Sequence, residues 1–131
     1  MRLLLDTHAL IWFMEGSGRF PARMKALIEN EAERTFVSAA SAWEIATKHR
    51  LGKLAGVEPL ITDFSGELER GGLYDLPIGI RHASLAGSMP PDHKDPFDRM
   101  LCAQALVEDL ALVSADKALD AFGVIRLWDA A

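Results

Sequence analysis

In Leu3-Leu4-Leu5-Asp6-Thr7-His8-Ala9-Leu10-Ile11-Trp12 the hydrophobic pattern changes character at a single residue, Asp6. A short apolar run closed by an aspartate and followed at once by helix-spaced apolar residues reads as a strand over 2–5 turning into a helix over 7–14. The same alternation continues outward to the end of the chain. A helix is expected over 21–33, a strand over 35–38, and helices over 39–51 and 58–70, the latter stopping at Gly71-Gly72. A third strand runs from Tyr74 to Ile78, then come a helix over 80–87 and a Pro-Pro loop. A helix over 96–109, a strand over 111–114, a short helix over 116–122 and a last strand over 124–128 complete the pattern. Strands separated by helices call for right-handed crossovers, so the expected class is α/β, a parallel sheet inside a three-layer α/β/α sandwich.

The 131 residues make one domain, 1–131, large enough for a hydrophobic core and too short for a second one. A net charge of −5 argues against a broad basic surface for duplex DNA and against binding to anionic membranes. Nucleic acid stays open as a partner, because cations held by an acidic site remove much of its repulsion. Cys102 is the one cysteine and cannot form an internal disulfide, which fits a reducing compartment. Asp6 and His8 interrupt the apolar start, so it does not read as a signal peptide, and no stretch approaches membrane length. The cytoplasm is the expected location.

Four acids stand where a parallel α/β sheet gathers its active-site groups: Asp6 and Asp116 at strand ends, Glu44 and Asp98 on helices. Asp6 could merely cap the helix starting at Thr7, and Asp116 the one starting at Lys117. Glu44 lies inside Ser41-Ala42-Trp43-Glu44-Ile45-Ala46, where nothing needs a cap. Its helical neighbours Ala40, Ser41 and Thr47 are small, so this face can approach the sheet, and a buried glutamate then demands a charge partner or a cation. In Asp95-Pro96-Phe97-Asp98-Arg99 the first aspartate reads as the N-cap, the proline as the first helical residue, and Asp98 shares a stripe with Cys102 and Ala105. Four converging carboxylates repel one another unless cations intervene. Oxygen ligands without His or Cys at metal spacing favour magnesium or manganese over zinc or iron.

The remaining candidates have plainer readings. His8, His49, His82 and His93 are scattered and read as surface or loop residues, with His93 near enough in sequence to Asp95 and Asp98 to touch substrate. Trp12, Trp43 and Trp128 fall in apolar segments and read as core, as does Cys102. Lys48-His49-Arg50 with Lys53 reads as a solvated helix end, with phosphate contact as the sharper alternative.

Taken together, Leu3 to Trp12, Ser38 to Lys48 around Trp43-Glu44, His93 to Leu101 with Ala103-Gln104-Ala105, and Leu112 to Asp116 resemble a PIN-domain protein. More narrowly, the chain resembles the stand-alone VapC toxins of toxin–antitoxin pairs. The resemblance spans nearly the whole chain with its motifs in order. It implies a metal-dependent endoribonuclease whose acids Asp6, Glu44, Asp98 and Asp116 hold one or two magnesium or manganese ions and hydrolyse RNA phosphodiester bonds. It further implies that Ser114 supplies a hydroxyl near the metal and that Thr7 helps order the first acid. The sheet would have five parallel strands in the order 3-2-1-4-5. A homodimer and a cognate antitoxin, whose tail enters the acidic groove, are the implied partners. His93, Arg99, Lys48 and Arg50 are the weaker substrate-binding candidates. Two rivals are weaker. A haloacid-dehalogenase-like phosphatase would want a second aspartate where His8 stands and a lysine-bearing motif. A PIN-fold binding module without activity would not need all four acids.

Overall fold

The structure, a computed structural model, describes residues 1–129, so the last two residues lie outside the described part. Leu3, Leu4 and Leu5 of β1 (Arg2–Leu5) are each fully buried. A strand apolar at every position can be satisfied only where both sheet faces are covered, which is the centre of a parallel sheet. β1 lies there, flanked by β2 (Arg34–Ser38) and β4 (Ala111–Val113), with β3 (Tyr74–Leu76) and β5 (Arg126–Leu127) at the edges. All pairs are parallel and the order is β3-β2-β1-β4-β5, as the resemblance implied.

The two-residue period of a strand divides the core between the faces. Leu3 and Leu5 join Leu10, Val37, Ile45, Leu60, Leu68 and Val113 on one side. Leu4 joins Leu101, Cys102, Ala105, Leu112 and Leu119 on the other. The first layer is built by α1 (Thr7–Glu15), α2 (Ala22–Ala26), α3 (Ala39–Arg50), α4 (Glu58–Thr62) and α5 (Phe64–Arg70). The second is built by α6 (Ile80–Ser88), α7 (Pro96–Glu108) and a 3₁₀ turn over Lys117–Phe122. The chain therefore leaves β1 toward one layer and leaves β4 toward the other. Between those two strands opens the crevice where α/β sheets bind ligands.

Several expected boundaries change for local reasons. The helix expected over 21–33 is α2 followed by a wider π-turn over Leu27–Glu31, closed by the Ala32 amide on the Leu27 carbonyl at 2.8 Å. The helix expected over 58–70 is two helices. Asp63 leaves helical geometry at φ −154° and ψ 76°, and its carboxylate caps α5 by accepting from the Gly66 amide at 3.0 Å. Gly66 permits that cap, since a Cβ there would sit 2.0 Å from the Asp63 carboxylate. β3 stops at Leu76, before Pro77, instead of reaching Ile78. The helix expected over 116–122 is the 3₁₀ turn, and β5 is shorter than the expected 124–128.

Candidate active site

Asp6 leaves the end of β1, where its amide still reaches the Val113 carbonyl at 3.0 Å, and becomes the N-cap of α1 by accepting from the Ala9 amide at 2.8 Å. Only 8% of it is exposed. The capping reading is borne out: one oxygen holds the helix end, while the carboxyl stays at the crevice between β1 and β4. Burial pushes its pKa up; the Ser114 hydroxyl and the Ala9 amide pull it back, and the negative charge of Asp98 pushes it up again. Ser114, fully buried at the end of β4, also accepts from the Asp116 amide at 3.0 Å.

Asp98 enters from the first turn of α7. Asp95 caps that helix, its Oδ1 accepting from the amides of Phe97 at 2.8 Å and Asp98 at 3.2 Å, as the sequence led one to expect. The Asp98 carboxylate is then free of capping and meets His93 Nε2 at 2.9 Å. Burial raises its pKa, His93 opposes that rise, and the charges of Asp95 and Glu44 add to it. Buried Cys102 behind these acids carries the same signature: its thiol is pushed up to about 12 by burial and by Asp98, Asp116 and Asp6 together. Such a thiol is inert core at neutral pH.

Glu44, 4% exposed, is held from both sides on α3. The Thr7 hydroxyl lies 2.6 Å from Oε1 and 3.0 Å from the Ser41 hydroxyl, while Lys48 Nζ meets Oε2 at 2.5 Å. A hydroxyl has one proton, so Thr7 donates to the carboxylate and accepts from Ser41. Thr7→Val, which keeps the shape, should therefore cost about 2 kcal/mol by stranding a buried carboxylate oxygen, whereas Thr7→Ser should keep most stability. Equal thermal midpoints for the valine variant and the parent would contradict that role for Thr7.

Asp116 differs from the other three acids. It is exposed and caps the 3₁₀ turn, its Oδ1 accepting from the Ala118 amide at 3.0 Å. It contributes charge from the rim.

The weaker candidates sort differently. Lys48 is engaged with Glu44, and Arg50 is exposed at the end of α3. Arg99, expected to touch substrate, instead turns its guanidinium on four backbone carbonyls: Ala86, Pro91 and Met89 at 2.7 Å each and His93 at 3.1 Å. It binds up the Pro-Pro loop that carries His93. Phe122, not singled out in the sequence, lies against both residues, 5.7 Å from the His93 ring and 5.6 Å from the Arg99 guanidinium. Its sequence signal, an aromatic in a short apolar turn, is too common to flag. His82, expected at the surface, is buried: Nδ1 accepts from the Gly79 amide at 2.9 Å and Nε2 meets Glu108 at 2.7 Å. Trp43, expected in the core, is 65% exposed and packs edge-to-face on Phe97, with ring centroids 5.1 Å apart. Trp12 and Trp128 are packed against the core as expected.

Among the described residues no three His, Cys, Asp or Glu side chains form a closed metal shell. The crevice offers desolvated carboxyls that raise one another's pKa, Asp6 by Asp98 and Asp98 by Glu44. That donor set suits a small hard cation, since magnesium keeps several waters and needs only one or two protein carboxylates.

The raised values have a measurable consequence. An unfolded chain returns both aspartates to the ordinary range, so between that range and the raised values the folded protein holds more protons. From these two groups, metal-free stability falls as pH rises through that window. A variant with both Asp6→Asn and Asp98→Asn should lose this part of the fall of thermal midpoint from mildly acidic to neutral pH. Parallel profiles for variant and parent would contradict the raised values.

Beside the crevice a groove of about 700 Å³ runs over Met24, Leu27, Leu127 and Trp128 to Ala115 and Lys117, the neighbours of Asp116.

Comparison with known proteins bears on the family and the fold. The family model for the PIN domain matches residues 3–125. Ribonuclease VapC16 of Mycobacterium tuberculosis is 37% identical over 62 residues, which are 47% of this chain and 43% of that protein, so the match spans less than half of the relative. Among solved structures, VapBC2 from Rickettsia felis bound to a DNA fragment from its promoter aligns over 98% of this chain and 100% of that one, with a TM-score of 0.71 and 14% identity. FitAcB from Neisseria gonorrhoeae aligns over 97% and 96%, with a TM-score of 0.67 and 16% identity. A toxin–antitoxin complex from Klebsiella pneumoniae aligns over 87% and 86%, with a TM-score of 0.61 and 16% identity. At such identities the structural likeness is one of fold.

Proposed function

Since this chain belongs to the PIN-domain family, we propose that it is a metal-dependent endoribonuclease and the toxin of a toxin–antitoxin pair. The observation that carries the reading is the meeting of Asp6, Asp98 and Glu44 at the carboxyl ends of the central strands, with the pKa of Asp6 raised by burial and by Asp98, and that of Asp98 by burial and by Asp95 and Glu44. Asp6 and Asp98 would hold a magnesium or manganese ion, with Glu44 and rim residue Asp116 completing the negative field. Such an ion, when bound, supplies charge stabilisation at phosphate and a more acidic water.

The other residues keep those acids in place. Ser114 and the Ala9 amide orient Asp6, His93 orients Asp98, and Thr7 with Lys48 orients Glu44. The reaction adds a water oxygen to phosphorus and breaks the bond to the leaving ribose oxygen. Lys48, paired with Glu44, is close enough to Asp95 and Asp98 to feel their charge, and gives the acidic crevice a cation that a phosphate can meet.

The antitoxin is assigned to the groove ending at Ala115 and Lys117, from which a tail can reach Asp116 and the crevice. That relatives of this fold occur in toxin–antitoxin complexes supports this partner. A homodimer is the proposed assembly. The proposed location is the cytoplasm, where RNA is; among the described residues no helix is long and apolar enough to cross a membrane.

Purified protein should cleave RNA in magnesium or manganese, stop when the ion is chelated, and gain thermal stability on adding the ion back. Cleavage that persists in excess chelator after repurification would sink the metal mechanism.

A further inference from the structure

Trp43 is the most exposed aromatic residue of the described chain, 65% open to solvent. A tryptophan at the surface of a monomer leaves a large apolar ring in water, and its place here is specific. Trp43 immediately precedes Glu44 on α3, and Phe97 immediately precedes Asp98 on α7. Consecutive helical residues point about 100° apart, so while the two acids face the crevice the two rings turn to the adjoining face. There they meet, 5.1 Å between centroids at 77°, across the seam where α3 and α7 pack. Phe97 holds the indole in one orientation and leaves most of it uncovered. The other two tryptophans show no such exposure, since Trp12 and Trp128 pack on each other at 5.7 Å within the core cluster. Lys48 lies at the same seam, paired with Glu44 and close enough to Asp95 and Asp98 to feel their charge.

We propose that Trp43, propped by Phe97, is a stacking platform for one unstacked nucleobase of the RNA strand whose phosphate lies at the acids. This rests on the ribonuclease reading and states how its substrate is held. Base and phosphate of one nucleotide are separated by a sugar, and the platform and the acids stand on adjacent residues of each helix, turned to adjoining faces. Stacking on an indole tolerates any base, and it needs a base free of its neighbours, so the site selects single-stranded or looped RNA over continuous duplex.

The test measures binding apart from turnover. Asp98→Asn protein is titrated into a fluorescein-labelled, mixed-sequence single-stranded RNA, followed by anisotropy, with and without Trp43→Ala or Trp43→Phe. Trp43→Ala should weaken binding about 5- to 100-fold, with Trp43→Phe much closer to the parent. The thermal midpoint should barely move, because the ring is exposed. On an RNA of the same length with every base removed, the parent should bind as weakly as the full RNA binds Trp43→Ala, and should lose little more on that substitution. Unchanged affinity in Trp43→Ala overturns the platform and leaves the ribonuclease reading standing. An equal loss on Trp43→Ala for the base-free RNA and the full RNA shows a contact to backbone and overturns it too. A fall in molecular mass by light scattering with RNA affinity intact assigns Trp43 to a contact between copies instead. Absence of both RNA binding and RNA cleavage by the unsubstituted protein in magnesium or manganese removes the ribonuclease reading and the platform with it.

Discussion

Asp98→Asn is expected to lower RNA cleavage by more than about 100-fold while the thermal midpoint holds or rises. Asparagine preserves the shape and an oxygen that His93 Nε2 can reach, now 2.9 Å from the Asp98 carboxylate, but it removes the charge that a cation needs. It also removes a carboxyl whose pKa is raised by burial and by the neighbouring charges of Asp95 and Glu44, so repulsion is relieved. Asp95→Asn, three residues earlier, should behave in the opposite way. Asp95 works through Oδ1, which accepts from the Phe97 and Asp98 amides at 2.8 and 3.2 Å, and asparagine caps about as well as aspartate. Most activity should survive, at a cost to the fold of no more than about 1 kcal/mol. Cleavage and thermal midpoint measured for both variants in one buffer settle the assignment. A dead Asp95→Asn beside an active Asp98→Asn would reverse it, and equal losses would mean that loop and helix start act as one metal-binding unit.

The largest stability effect is expected at Arg99. Its guanidinium serves the carbonyls of Ala86, Met89, Pro91 and His93, and Arg99→Ala would leave all four without that donor. Hydrogen bonds from a charged donor are the stronger kind, so the loss should be about 3 kcal/mol or more, roughly 10 °C in thermal midpoint for a domain of this size. Arg99→Lys should recover only a small part, because an ammonium lacks the planar fork that reaches several carbonyls at once. Cleavage should fall as well, by roughly 10- to 100-fold, since the released loop carries His93, which holds Asp98. If Arg99→Lys matches the parent in both stability and cleavage, the clamp has no such role.

Much of this molecule is legible in its amino-acid sequence. The three consecutive leucines of β1 can be buried only between two helical layers, and Asp6 after them marks where strand becomes helix. Asp95-Pro96 likewise announces the start of α7 and leaves Asp98 without a capping duty. These are local facts: a turn, a cap or a hydrophobic period is set by residues within a few positions of one another.

What joins distant segments is not legible in that way. That Thr7 donates its hydrogen bond to Glu44, 37 residues on, depends on how α1 and α3 cross above the sheet. The conversion of Arg99 from a plausible substrate contact into a clamp depends on the path of the loop before α7, which brings four carbonyls within one guanidinium's reach. Trp43 is the sharpest case. An indole in an apolar segment looks like core, and only the packing of α3 against α7 turns it outward while Glu44, beside it, turns in. Chain-local signals determined the strands, the caps and the four acids. The tertiary structure alone decided which of those acids are buried together and what orients them, because burial and long-range pairing are properties of the space between elements.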